Sequence, residues 1–140
     1  MANGIHFQDA TTPTIFNNRV VGSDGSCYYG PGEECANSEA CSSESSTDNL
    51  ISDNVGHSCW RGIHVLHKGA QCQRYNGFTL FKCLHFGFYT HAESIQSIIL
   101  QNTIVADSRV GVSGQFVGGK NTADYDQVFV YGQKQYYYWP

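Results

Sequence analysis

One short pattern recurs in four segments of the chain, and this repeat limits the possible folds more than any other feature. The segments are centred on four equivalent positions, three of them glycine: Cys27, Gly62, Gly87 and Gly111. An aliphatic residue precedes each by seven positions, namely Val20, Val55, Leu80 and Ile104. A large apolar residue follows each directly, namely Tyr28, Ile63, Phe88 and Val112. A period of about 24 residues, in which one repeat cannot bury its own apolar face, indicates a solenoid.

The residues within each repeat indicate which kind of solenoid it is. Short β-branched and aromatic clusters such as Val20-Val21 and Leu80-Phe81 alternate with Gly, Asn, Asp and Ser, which is typical of strands and turns. No long stretch has helical apolar spacing. We therefore predict an all-β fold, a right-handed parallel β-helix of about four to five coils. The glycines should mark a bend that a side chain would obstruct. An antiparallel sandwich with coincidental spacing is the alternative.

The first interval of the repeat is about ten residues longer than the others, and residues 31–49 account for the difference. This segment is serine-rich, acidic and nearly without large apolar residues, so we expect it to loop out from the coil. Residues 1–140 otherwise read as a single β-helix segment. The aromatic run from Tyr136 to Pro140 lacks the polar cap that a solenoid end needs, which favours a segment of a longer protein.

Charge and hydropathy exclude several classes of partner. The net charge is −4 and the basic residues form no stripe, so nucleic acid and anionic membrane surfaces are not expected partners. No apolar stretch is long enough to span a membrane. Glycine-rich phosphate loops, serine-hydrolase elbows and closely paired cysteine ligands are also missing from the sequence. We therefore expect no cofactor and no metal.

The six cysteines suit an oxidising compartment. Cys35, Cys41 and Cys72 all leave their coils on the same side of the repeat, so we predict that Cys72 pairs with Cys35 or Cys41. Cys59 and Cys83 lie almost at the same position in neighbouring coils and form a second candidate pair.

Few residues could support chemistry or binding. Asp53, Asp107 and Glu93 fall on different tracks of the repeat, so no carboxylate pair for glycan cleavage is expected. Asp53 reads better as a turn residue, as do the aligned Asn18 and Asn102. His64 and Tyr89 occupy the same position in adjacent coils and could stack against a sugar ring. With Trp60 they form the predicted ligand-contact set: Trp60, His64 and Tyr89. A purely structural role for the histidines is the alternative.

Three consecutive coils resemble a known family. The run ISDNVGHSCWRGIHV from Ile51 to Val65 resembles the N-x-A-H-S-x-x-x-G-hydrophobic coil of fibrocystin and fibrocystin-like proteins. YNGFTLFKC from Tyr75 to Cys83, followed by FGFY, is similar to their F-x-L-x-K-x-x-x-x-G-hydrophobic coil. FNNRVVGS from Phe16 to Ser23 resembles the coil that precedes these two. The resemblance covers roughly residues 15 to 114.

This resemblance implies a parallel β-helix in the large ectodomain of a cell-surface, cilium-associated protein with no defining enzymatic activity. We therefore expect a non-catalytic structural or recognition segment, extracellular or at the cell surface. Its expected partners are neighbouring coils, other extracellular proteins and glycans. Cell-surface hyaluronidases are similar in architecture, so the alternative is a polysaccharide hydrolase or lyase whose groove lies partly outside this segment.

Overall fold

The computed structural model describes residues 1–7, 14–34, 51–65, 73–92, 97–116 and 122–132. Within these ranges the regular structure is entirely β-strand. The strands are β1 (Ile5–His6), β2 (Ile15–Phe16), β3 (Arg19–Val21), β4 (Ser26–Gly30), β5 (Glu33–Glu34), β6 (Ile51–Ser52), β7 (Val55–His57), β8 (Arg61–Val65), β9 (Gln73–Asn76), β10 (Thr79–Phe81), β11 (Phe86–Ala92), β12 (Ser97–Ala106), β13 (Val110–Phe116) and β14 (Thr122–Tyr131).

The strands form two sheets in which successive coils stack on one another. The five-stranded sheet has the order β1-β4-β8-β11-β13. The nine-stranded sheet has the order β2-β6-β9-β12-β10-β7-β3, with β14 on β12 and β5 on β9. Every pairing of the described strands is parallel except that of β5 with β9. Parallel stacking confirms the all-β solenoid and is incompatible with an antiparallel sandwich. Its handedness and coil number stay predictions.

The large residue after each repeated position forms one column, as the repeat predicts. Tyr28 and Phe88 both pair with Ile63, and Phe88 also pairs with Val112. Tyr28, Ile63 and Phe88 are almost completely buried in the core. This column fixes the alignment of the coils on the five-stranded sheet.

In two coils the buried aliphatic column lies one residue away from the position that the repeat predicts. The observed column contains Val20, Gly56, Leu80 and Val105, so Val55 and Ile104 do not belong to it. In these two coils the interval between the aliphatic column and the repeated glycine is one residue shorter than in the others. Because successive residues of a strand face opposite sides, a shift of one residue exchanges inward and outward side chains. The consequence is visible at β12, where Val105 is 1% exposed and its neighbour Ile104 is 41% exposed.

Two further columns consist of residues with left-handed backbone, and we call them the left-handed corners. The paired strand ends place Asn17, Asp53, Gly77, Asn102 and Gln127 in one column and Gly22, Ser58, Lys82 and Asp107 in the other. All nine have φ between 46° and 72°. The interpretation of Asp53 and Asn102 as turn residues is confirmed. Asn18 follows the corner, which Asn17 occupies, but its side-chain amide donates to the carbonyl of Phe16, as expected of a turn residue.

Glycine at the repeated position is a steric requirement, but it does not mark the predicted bend, since Gly62, Gly87 and Gly111 are the second residues of β8, β11 and β13. A Cβ on Gly62 would collide with the carbonyl oxygen of Gly87, and one on Gly87 would lie 2.7 Å from that of Gly111 as well as against Val105. Neither glycine has a left-handed φ. We call Gly4, Cys27, Gly62, Gly87 and Gly111 the glycine column, since a Cβ on Gly4 would likewise lie 2.8 Å from the carbonyl oxygen of Cys27.

The cysteine pairing differs from the prediction. Cys27 and Cys59 form a disulfide between successive coils, with their Cα atoms 5.6 Å apart. Cys83 is a buried free thiol, so the predicted Cys59–Cys83 pair is wrong. Cys59 bonds to the coil before it because Cys27 is the one residue of the glycine column that has a sulfur atom. The predicted pairs of Cys72 with Cys35 or Cys41 lie outside the described residues.

The predicted insertion, residues 31–49, starts directly after β4 ends at Gly30. Its first residues contain β5, which pairs antiparallel with β9 through Glu33–Arg74 and Glu34–Gln73. This strand was not expected from the composition. Residues 35–49 lie outside the described part of the chain, so the loop itself stays a prediction.

Candidate binding surface

An aromatic column runs along the outer face of the five-stranded sheet. Strand alternation turns the residue after each buried one outward, and pairing aligns His6, Tyr29, His64 and Tyr89 in successive coils. The ring centroids are 4.8 Å apart for His6–Tyr29, 4.8 Å for Tyr29–His64 and 5.1 Å for His64–Tyr89. These distances match one strand spacing. Tyr29, His64 and Tyr89 are half-buried, which leaves part of each ring open to solvent.

A second column begins nearer the bend. The amide of His85 donates to the carbonyl of Trp60, and the amide of Val110 donates to that of His85, which places Arg109 beside His85 in the next coil. The rings of Trp60 and His85 lie 5.2 Å apart. Phe86 joins the two columns, since its ring lies 3.8 Å from His85 and stacks on Tyr89 at 4.8 Å. The resulting aromatic surface consists of Tyr29, Trp60, His64, His85, Phe86 and Tyr89.

Cationic groups border this aromatic surface. The guanidinium of Arg61 lies 5.0 Å from the ring centroid of Tyr89, and its Nη1 is 3.4 Å from Nδ1 of His64. The pKa of His85 is lowered by burial, and the charges of Arg109 and Arg61 lower it further. His85 is therefore biased towards the neutral ring at neutral pH. The electrostatic character of this border comes from the two arginines.

The structure brings the three predicted ligand-contact residues onto one continuous surface. His64 and Tyr89 touch, as their shared repeat position predicted, and Trp60 reaches them through His85 and Phe86. Their contact with a ligand stays a prediction. The sequence analysis missed Arg61, His85, Phe86 and Arg109. Arg61 and Phe86 stand directly before Gly62 and Gly87, so the glycine alignment contained the signal for this pair.

The carboxylates considered for catalysis lie elsewhere. Asp53 and Asp107 occupy different left-handed corners on the nine-stranded sheet, and Glu93 lies outside the described residues. Among the residues that the structure describes, no three His, Cys, Asp or Glu side chains are grouped closely enough to hold a metal ion. The described ranges also contain no helix long and apolar enough to cross a membrane. The arrangement at the aromatic surface suits binding by ring faces and positive charge.

Comparison with known proteins gives two related sequences. Fibrocystin of Canis lupus familiaris is 28% identical over 111 residues, and fibrocystin of Mus musculus is 30% identical over 111 residues. Each match covers 78% of this chain but 2% of the relative, so the chain spans only a small part of the length of these proteins. No family model and no solved structure matches. The chain is thus fibrocystin-like, related in sequence to a short segment of these much longer proteins.

Proposed function

We propose that the chain is a non-catalytic structural and recognition segment of a large extracellular or cell-surface protein. In this proposal it contributes four to five coils of a longer right-handed β-helix, and neighbouring coils cover its open end. The Cys27–Cys59 disulfide supports an oxidising, extracellular compartment, because such bonds are rare where thiols are kept reduced. The relation to fibrocystin supports an extracellular or cell-surface location, and a ciliary one is part of this proposal.

The structural part of the proposal rests on one observation: side chains of β14 that continue the buried columns of β12 are about half exposed to solvent. Val105 and Leu100 of β12 are 1% and 0% exposed, yet their partners in β14, Val130 and Tyr125, are 54% and 46% exposed. The inward direction of Val130 is clear, because a Cβ on Gly111 would collide with its Cγ1. Inward apolar side chains left half in solvent lose much of their burial energy. A further layer of polypeptide on β14 would recover it.

Substitutions in β14 of the full-length protein test this cover. Val130→Asp would place a charge in the proposed coil interface, and we expect about 3 kcal/mol of destabilisation from burying that charge. Phe129→Asp is the matched control, since Phe129 is 52% exposed and pairs with the outward Ile104. It should cost about 0.5 kcal/mol or less. Hydrogen exchange of the β12 and β14 amides measures both effects.

Equal exchange in the two variants would show that no coil covers β14 and would refute the structural proposal. The enzymatic alternative needs a separate assay. We expect hyaluronan and pectin to keep their chain length when incubated with the full-length protein. Depolymerisation that disappears in Asp53→Asn or Asp107→Asn would instead establish a carbohydrate-active enzyme.

A further inference from the structure

We propose that the aromatic surface, together with Arg61 and Arg109, binds a glycan that carries carboxylate or sulfate groups. This inference rests on the recognition role proposed above and specifies its ligand. Two features of the described residues support it, a pair of guanidinium groups without a carboxylate partner and a row of aromatic rings between them.

The two arginines lie one coil on either side of Phe86. Arg61 pairs with Phe86 from the preceding coil, and Arg109 directly precedes Val110, which pairs with Phe86 from the following coil. Arg109 is exposed, whereas Arg61 is half-buried over Tyr89. Two positive charges thus border the same short stretch of rings. An anionic group of a bound ligand could lie between them.

The positive charge at this border has no partner of opposite sign in the part of the chain that the structure describes. Nη1 of Arg61 contacts the ring of His64, and its Nε has no hydrogen-bond partner. Nδ1 of His85 also lacks one. Both nitrogens are shielded from solvent, so they do not contact a ligand on the surface; the exposed Arg109 and the half-buried Arg61 supply its positive charge. On a chain of net charge −4, this border is a local site of attraction for anions.

The rings select a sugar among anionic ligands. Phe86 and Tyr89 are stacked with an interplanar angle of 25°, so the pair offers a ligand the ring face that the other ring does not cover, beside Arg61. The C–H face of a pyranose packs against such a face, while the polar edge of a tyrosine can bond to hydroxyl groups. An extended nucleic acid needs a longer basic stripe than two arginines provide. An acidic glycan satisfies both the rings and the charges.

Binding of three defined probes to the full-length protein tests the proposal. The probes are heparin fragments, which carry sulfate, hyaluronan oligosaccharides, which carry only carboxylate, and neutral dextran oligosaccharides of matched length. We expect the acidic probes to bind about tenfold or more tightly than dextran, with an affinity that falls as salt is added. The order of heparin and hyaluronan identifies which anionic group the site prefers.

Charge reversal then locates the site. Arg109→Glu should weaken binding of the better acidic probe about tenfold or more, whereas Arg19→Glu, at an exposed position of β3 on the other sheet, should change it less than about twofold. Equal effects of the two reversals, equal affinity for dextran, or no binding of any probe would refute the inference. None of these results would change hydrogen exchange at β14, so the structural proposal is tested independently.

Discussion

Two kinds of repeated position, the left-handed corners and the glycine column, place opposite demands on the residues that occupy them. The left-handed corners require an unusual backbone conformation, but most of them accommodate a side chain, so Asn17, Asp53 and even Lys82 occupy them with φ of 54°, 55° and 52°. The glycine column has ordinary backbone dihedrals but no space, since a Cβ on Gly62 would collide with the backbone of the next coil. Glycine is therefore required by the packing of coils and not by their turning.

The exception in the glycine column shows how the volume is shared. At four positions of the glycine column a glycine faces an aliphatic side chain of the buried aliphatic column. For example, a Cβ on Gly62 would lie 3.1 Å from the side chain of Leu80. At the remaining position Cys27 replaces the glycine, and the inward residue is Gly56, whose Cβ would lie 2.9 Å from that of Cys27. Here the larger residue lies in the glycine column and the glycine lies in the aliphatic column. In each coil the two columns therefore share one volume, which a side chain from either of them can fill.

Loss of the disulfide should have the largest effect in this comparison. Cys27→Gly restores a glycine to the column but removes a cross-link across 32 residues, which should destabilise the protein by about 3 to 4 kcal/mol through the entropy of the unfolded chain. Cys83→Ala, which leaves the disulfide intact, is the control and should cost about 1 kcal/mol. Denaturant unfolding measures both. A peptide map that shows Cys27 and Cys59 as free thiols would contradict the pairing.

A branched side chain in the glycine column should have the next largest effect. Gly87→Val would force its Cβ against Val105 and the carbonyl oxygen of Gly111, and we expect a destabilisation of about 1 to 3 kcal/mol. Gly132→Val is a suitable control, because nothing lies within 4 Å of its Cβ position and its φ is not left-handed. It should stay within about 0.5 kcal/mol. If Gly87→Val melts at the wild-type temperature, the close packing of the glycine column against the next coil is wrong.

The same comparison explains which parts of the fold could be predicted from the sequence. The glycine column repeats its residue type and was recognised, and with it the coil alignment that joined His64 to Tyr89. The left-handed corners repeat a conformation that many residue types satisfy, so Lys82 and Gln127 gave no signal. The position of Gly56 was missed because a one-residue difference in bend length shifts the strand register.

The Cys27–Cys59 pair was missed for another reason. It depends on a contact between coils that a period alone does not contain. The repeat aligns Cys27 with the glycines, although a larger residue in a crowded column needs a compensating neighbour. Arg109 stands two residues before Gly111, as His85 does before Gly87, so the glycine alignment already contained the signal for the cationic border. The disulfide, by contrast, depends on the three-dimensional register, which the sequence pattern fixes to within about one residue.

The exchange of large and small residues can be tested as a double-mutant cycle. Gly56→Val alone should cost about 1 to 3 kcal/mol, because its side chain would meet Cys27 and Leu80. In a background that carries Cys27→Gly and Cys59→Ala, the same substitution should cost about 1 kcal/mol less, since the space beside it is now empty. Equal costs in the two backgrounds would show that the two columns do not share one volume.

The smallest effect is expected at a left-handed corner that has space. Gly22 has φ of 72° and nothing within 4 Å of its Cβ position, so only its backbone conformation restricts the residue type. Gly22→Asn should change the free energy of unfolding by about 0.5 kcal/mol or less, because asparagine tolerates the left-handed region. Gly22→Val should cost about 1 to 2 kcal/mol more, since a β-branched residue does not. At Gly87, by contrast, asparagine and valine should both be destabilising. Thermal unfolding of the four variants separates a conformational requirement from a steric one, and equal tolerance of asparagine at both glycines would refute the distinction.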